Sequence, residues 1–399
     1  MRRSALPLLA LWLVTACAGG ALPPATPAPG PVPAPPLPEA PPVVVETPEA
    51  LPEPAPPAPA PKVASITLAF TGDINLGTAT LPGGIPPDSG RGVLRAAAPY
   101  LVGDLVVGNL EGVFADTGIS EKCIRRRGNK IEERPNCYAF RTPTWLAPRL
   151  VDAGFTHLNL ANNHSGDLGT AGRATTLETV RTLGLVPYGL TGSIALDTLT
   201  RGDSISTVAL IGFATYPFAY NLLDLERSRA VVDSVRQLAD VVIVTFHGGD
   251  EGSDALHVPE GPEFLGNEPR GELRRWARVV LDAGADAVIG HGPHVLRGIE
   301  FHDGKPIVYS LGNFATYRGF SVSGPLGITG VLSLELGGDG TFLTGRFVPM
   351  HQAPRRGPAP DPAARAIELL RRLSAEDFGP RAARVLDDGS ILPPASAND

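Results

Sequence analysis

Three cysteines in 399 residues leave little room for thiol chemistry, and none of them falls in a C-x-x-C spacing. A dithiol redox motif of that kind is thereby excluded. Long basic runs are missing as well, and the net charge is -7, which argues against a dedicated nucleic-acid binder. The apolar stretch near the start, Leu6 to Val14, is broken by Pro7 and is too short to cross a bilayer as a permanent helix. Proline, by contrast, is plentiful, with 42 residues, and it crowds into residues 18–62, where it rules out both a helix ladder and a core. The remainder, from Val63 onward, is long enough to bury a substantial core.

The basic start Met1-Arg2-Arg3 and the apolar stretch after it have the layout of an export signal, so residues 1–16 are set apart from the fold. Val14-Thr15-Ala16-Cys17 resembles the bacterial lipobox. That resemblance implies a lipid on Cys17 and an acylated amine, and several chains together hold a protein on a membrane. Ala18 stands where an aspartate commonly marks inner-membrane retention, so the expected address is the cell envelope, leaning to the outer membrane or periplasmic face. Residues 17–62, with runs such as Pro31-Val32-Pro33-Ala34-Pro35-Pro36, read as a semi-rigid polyproline spacer. One domain is expected over residues 63–350. Residues 351–399 are expected to form an appendage with one helix, Pro362 to Leu373, and a frayed tail. In an oxidising compartment Cys123 and Cys137 could close the arginine-rich excursion between them as a disulfide, two free thiols being the alternative.

Short apolar runs alternate with helical stretches along the domain. Ser65 to Phe70, Leu105 to Val107, Thr156 to Leu160, Ser206 to Phe213, Val241 to Phe246, Ala287 to Ile289 and Lys305 to Ser310 read as strands. Val93 to Ala98, Pro143 to Ala153, Gly169 to Leu183, Ser228 to Ala239 and Glu272 to Ala283 read as helices. Thr329 to Leu336 and Thr341 to Val348 look like an antiparallel pair, so the sheets are expected to be mixed and covered by helices.

Polar residues gather where these strands end: Asp73, Glu111, Asn163, His164, His247, His291 and His294. In open α/β architectures the carboxyl ends of strands are where loops converge on a ligand. Each residue alone could serve an ordinary purpose, a turn for Asp73 or a hydrogen-bonded core position for His164 or His247. Together they form a mixed oxygen and nitrogen donor set suited to zinc, manganese or iron, and poorly suited to calcium. One or two divalent ions are expected, and two ions about 4 Å apart could share a bridging carboxylate. Arg125, Arg126 and Arg127 are either a solvated face or a contact for an anionic polymer.

Gly72-Asp73-Ile74-Asn75-Leu76-Gly77, Asn109-Leu110-Glu111, Leu160-Ala161-Asn162-Asn163-His164, His247-Gly248-Gly249-Asp250-Glu251, Gly290-His291-Gly292-Pro293-His294-Val295 and Tyr309-Ser310-Leu311-Gly312-Asn313-Phe314 stand in order along the chain. This set resembles the CapA family of capsule and poly-γ-glutamate synthesis proteins, which is similar to calcineurin-like metallophosphoesterases. The resemblance spans about residues 65 to 350. It implies a four-layer α-β-β-α sandwich of two mixed sheets with a cleft for metal ions at the strand ends. Asp73 and His294 would hold the first ion, Asn163, His247 and His291 the second, and Glu111 would bridge them. His164 would act near the scissile bond, with Asp250 and Glu251 behind the ligands or facing the substrate, and Asn75 beside it.

Three departures from the usual phosphoesterase pattern stand out. Asn75 occupies the place of a histidine, Glu111 sits in a loose substitute for a G-D-x-x-D segment, and two residues rather than one separate His291 from His294. An amide bond in poly-γ-glutamate or in wall peptide is therefore as reasonable a target as a phosphodiester. Metal-dependent hydrolysis or transfer on an anionic polymer, poly-γ-glutamate or an acidic polysaccharide, is expected, together with capsule synthesis or export proteins as partners and no nucleic acid. The alternative is a non-enzymatic envelope factor that holds the polymer in a degenerate cleft.

Overall fold

The computed structural model describes residues 60–134 and 137–395. The expected export signal, Cys17 and nearly all of the spacer lie outside the described residues. Among those described, no helix is long and apolar enough to cross a membrane.

Two large mixed sheets face each other. In the first, Ile66–Asn75, Leu105–Leu110, His157–Asn159 and Val186–Tyr188 run parallel, while Ile328–Leu336 and Phe342–Gln352 add an antiparallel pair on the other side of Ile66–Asn75. In the second, Ser204–Ala214, Val241–His247, Ala287–His291 and Lys305–Val308 are parallel, with antiparallel edges at Ala195–Arg201 and Ile299–His302. The period of two along each strand decides which layer a side chain joins. Leu68 and Phe70 enter the core between the sheets and Ala69 the outer one; likewise Val208 and Leu210 point inward while Ala209 and Ile211 point outward. Strands buried on both faces read as continuous apolar runs for this reason.

Helices close both outer faces. Leu273–Asp282 buries Leu273, Trp276, Ala277, Val280 and Leu281, one stripe at helical spacing, against the second sheet. Leu225–Arg236 packs beside it and is started by Asp224, whose carboxylate accepts from the Arg227 N–H at 2.9 Å. Pro148–Ala153 and Gly169–Thr182 supply Leu150 and Val180 to the outer core of the first sheet. The result is the expected four-layer α-β-β-α sandwich.

Two expectations need correction. Val93 to Ala98 forms turns followed by the 3-10 turn Ala98–Tyr100 rather than a helix. Gly90 and Gly92 before it and Pro99 after it leave too few residues to repay the nucleation of a helix, although Val93, Leu94 and Ala97 are still buried. Residues 351–395 are also no appendage. Arg365–Phe378 places Ile367, Leu370 and Leu373 in the core between the sheets, and Ser390–Leu392 extends the first sheet by pairing with Phe342–Gln352. Their apolar residues gain more by joining that core than by fraying.

The strand Ile66–Asn75 pairs with Asn313–Thr316 at its far end, and Asp73 is brought in at that crossing. Backbone approach is close there: a Cβ on Gly72 would stand 1.9 Å from the Gly312 carbonyl oxygen. Gly72→Ala is therefore expected to lower unfolding free energy by about 1–3 kcal/mol, measurable by urea denaturation, because backbone rather than a flexible side chain must yield.

Candidate metal centre

Carboxyl ends of strands from both sheets open onto the same rim. Ile66–Asn75 delivers Asp73, Leu105–Leu110 delivers Asn109 and then Glu111, Val241–His247 ends on His247, and Ala287–His291 ends on His291. The turn after His291 carries His294 at φ 62, a left-handed conformation that costs a non-glycine residue about 1–2 kcal/mol. Asn313 holds it, donating from Nδ2 to the His294 carbonyl at 3.2 Å.

Distances around the rim are short. Asp73 Oδ2 and His294 Nδ1 are 2.9 Å apart, and Asp73 Oδ1 lies 3.5 Å from His291 Nδ1. Glu111 Oε1 is 3.7 Å from His247 Nε2, 3.8 Å from His294 Nε2 and 4.0 Å from His164 Nε2. Donor atoms of Asp73, Glu111 and His247 all fall within 4.8 Å of one another, and all three residues are buried.

Several buried polar atoms at the rim have no hydrogen-bond partner: both oxygens of Glu111, His247 Nε2, His291 Nδ1 and Asn163 Oδ1. An unsatisfied buried polar atom costs about 1–3 kcal/mol, so a group of them from four separate segments is anomalous unless something fills the space between. Carboxylate, imidazole and amide oxygen are a donor set that fits a divalent ion. The residues therefore fit one.

Charges at the rim follow from burial. Burial raises Asp73, but the imidazoles of His291 and His294 at its oxygens outweigh that and hold it well below the usual carboxylate range. Burial pushes Glu111 up. Burial alone lowers His294, yet Glu111 and Asp73 reverse this and push it up to about 10. His247 is driven well below its ordinary value by burial and by the Arg270 cation, which leaves a neutral imidazole suited to ligation.

His164 approaches from the loop after His157–Asn159. Its Nδ1 is 2.8 Å from Asp167 Oδ2, an arrangement that fixes the ring and turns Nε2 toward Glu111. Burial keeps its pKa low in spite of Asp167. Glu251 reaches the same space: Oε2 is 3.8 Å from His294 Nε2 and Oε1 is 2.8 Å from the Arg270 guanidinium. Asp250, in contrast, is exposed, and its carboxylate accepts from the Glu251 N–H. The cleft itself is a cavity of 630 Å³ whose walls include Asn163, His164, Glu251, His294, Asn313, Tyr138 and Phe320.

Some expected site residues are not brought there. Asn75 is buried with its amide tied at both ends, Nδ2 to the Glu111 carbonyl and Oδ1 to the Gly77 N–H, each at 3.1 Å, so it positions Glu111 and is closed to a substrate. Arg125, Arg126 and Arg127 project from the exposed hairpin formed by Ile124–Arg127 and Lys130–Glu133 and line neither the cleft nor the cavity beside it. The second and third pair with Glu121 and Glu132. A disulfide joins Cys123 to Cys137 at the base of this hairpin.

Two further residues support the centre. Asn109 donates to Asp73 Oδ1 at 2.8 Å and accepts from Asn159 and Asn162, both at 3.1 Å, a ladder of amides beneath the carboxylates. Asparagine inside otherwise apolar strands was the available signal. Arg270, fully buried and close enough to Glu111 to act on its charge, had no such signal, because its role depends on a long excursion folding back.

Residues 67–318 match the family described as "Bacterial capsule synthesis protein PGA_cap". The chain is 34% identical over 185 residues to the PGA biosynthesis protein CapA of Bacillus subtilis (strain 168), covering 43% of this chain and 45% of that protein. It is 29% identical over 187 residues to the capsule biosynthesis protein CapA of Bacillus anthracis, covering 43% and 42%. The matched region thus spans less than half the length of these two relatives. Among solved structures, a putative 5'-nucleotidase from Staphylococcus aureus aligns at a TM-score of 0.39 and 12% identity, covering 77% of this chain and 58% of that one, a likeness that bears on neither substrate nor reaction.

Proposed function

Because the chain belongs to the PGA_cap family of bacterial capsule synthesis proteins, we propose that it is a lipid-anchored envelope protein that hydrolyses, or transfers, an amide-linked anionic polymer such as poly-γ-glutamate in a metal-dependent cleft. The observation that carries this reading is the set of buried ligand atoms without a hydrogen-bond partner on Glu111, His247, His291 and Asn163, the first two within 4.8 Å of Asp73 and of each other and the third 3.5 Å from Asp73. Asp73 and His294 would hold one ion, Asn163, His247 and His291 a second, with Glu111 between them. When bound, a divalent ion there supplies Lewis acidity and makes water a competent nucleophile near neutral pH.

The protein's own groups have separate tasks. Asp167 fixes the His164 ring, so that a neutral His164 can take a proton at Nε2 from the attacking water. As the water oxygen joins the carbonyl carbon and the C–N bond breaks, the same Nε2 returns that proton to the leaving nitrogen. Arg270 neutralises Glu251 and holds it at the cleft wall, and Phe320, packed 5.0 Å from the His294 ring, shields the centre from solvent on that side.

Incubated with poly-γ-glutamate and manganese, zinc or iron, the purified protein is expected to shorten the polymer, seen by size-exclusion chromatography with a matching rise in free amines. Polymer that stays bound at full length with every metal would overturn this reading in favour of a non-enzymatic holding factor.

A further inference from the structure

Beside the cleft lies a second cavity, of 680 Å³, lined by four arginines, Arg134, Arg141, Arg318 and Arg355, and, among the described residues, by no aspartate or glutamate. In a chain of net charge -7 that is an exceptional concentration of positive charge. Arginines elsewhere in the structure commonly meet carboxylates, as Arg201 meets Asp104, Arg236 meets Asp286 and Arg297 meets Glu263. Among the described residues no such ion pair is formed by any of these four. Arg141 gives one nitrogen to the Gly118 carbonyl, and its Nε is buried without a partner. Guanidinium groups gathered in a concave, partly apolar pocket focus a field that recruits anions, and their forked donors match carboxylates.

The two cavities adjoin. Cys137, Tyr138, Gly319, Phe320 and Ser321 belong to the walls of both. The shared ridge is anchored on one side by the Cys123–Cys137 disulfide and on the other by the loop that follows Asn313–Thr316, the strand whose Asn313 steadies His294. A chain threaded through the cleft would cross Tyr138 and Phe320 and enter the arginine pocket.

We propose that this pocket is a second subsite, which binds the carboxylates of polymer units adjoining the one at the strand-end cleft, through Arg141, Arg318 and Arg355 with Arg134 at the rim. The ligand class is a flexible polycarboxylate carrying one free carboxylate per unit. The assignment of polymer as the ligand rests on the function proposed above, whereas the binding it describes does not require a metal.

Binding of fluorescein-labelled γ-glutamate oligomer by the full chain, followed by anisotropy, separates the two. Wild-type protein stripped of metal and the Asp73→Ala variant are both expected to bind the oligomer. Arg318→Gln and Arg355→Gln are each expected to weaken binding roughly tenfold, since each removes a charge-assisted contact, with an unchanged melting curve to show that the fold is kept. Rescue by Arg318→Lys should be partial, because an ammonium keeps the charge and loses the fork. Wild-type affinity in both glutamine variants would overturn the subsite, whatever becomes of catalysis. Equal affinity for a polyphosphate of the same charge would overturn its assignment to carboxylates. Loss of turnover in Asp73→Ala with binding intact leaves the subsite standing, and so does the discovery that no polymer is ever cleaved.

Discussion

Asp73→Ala is expected to purify without bound metal and to lose turnover on the order of 10³-fold, since removing a Lewis acid forfeits several kcal/mol of transition-state stabilisation. The carboxylate is wholly buried and touches three groups at once: Asn109 at 2.8 Å, His294 at 2.9 Å and His291 at 3.5 Å. Truncation leaves the His294 cation buried without its counter-charge, and breaking a buried pair costs about 3–5 kcal/mol. Asp73→Asn also removes the counter-charge of His294 but keeps the volume and a hydrogen bond, so its stability loss should be smaller than that of Asp73→Ala. It should fold and still lack metal. His291→Ala should also lose metal, with a smaller loss of stability, because its Nδ1 makes no hydrogen bond. Elemental analysis by plasma mass spectrometry, set beside polymer turnover, reads both quantities, and full metal content with undiminished turnover in Asp73→Ala and His291→Ala would remove the basis for the proposed chemistry.

Strand tips were legible in the sequence because a charged or imidazole group that ends an apolar run marks the point where a buried strand meets a loop, and a strand end is where such a group can reach a ligand. Asp73, Glu111, His247 and His291 each follow such a run, and the structure brings the four together. What the runs do not encode is which sheet a strand joins. Ile66–Asn75 and Leu105–Leu110 belong to one sheet and Val241–His247 and Ala287–His291 to the other, so the meeting of these residues depends on the packing of Leu68, Phe70, Val208 and Leu210 between the sheets. Long-range folding also hid Arg270, which follows an exposed stretch from Phe264 to Pro269 and is itself buried. Charge density alone does not mark a pocket: Arg125 to Arg127 form the densest basic run near the site and lie on a ribbon open to solvent, the solvated face that their sequence left open, while the scattered Arg141, Arg318 and Arg355 line a pocket. Asn75 shows a different limit. A residue in a motif can look like a ligand by position and still be enclosed by backbone partners that no spacing announces.

Removal of metal by a chelator is expected to lower the melting temperature, and by more at pH 8 than at pH 6. An ion present at about a thousand times its Kd stabilises the folded state by roughly 4 kcal/mol, an effect that chelation abolishes. The pH dependence comes from the protons that occupy the rim in its place. In the metal-free protein His294 is pushed up to about 10, above its ordinary value of 6.5, so its contribution to stability is complete below pH 6.5 and is lost as pH rises toward 10. Glu111, raised by burial, likewise favours the metal-free fold only at the acid end. Asp73, held below 3.8, contributes above that value and is constant across this range. The metal-free form thus weakens from pH 6 to pH 8. Metal binding has the opposite trend, because His294 must give up its proton to become a ligand, so affinity climbs with pH and protons are released on binding. Titration calorimetry in buffers of different ionisation enthalpy counts those protons, and a release of at least one at neutral pH is expected. A melting temperature indifferent to chelator at both pH values, with no proton released, would mean that the buried donors at the strand ends are satisfied by something other than a cation.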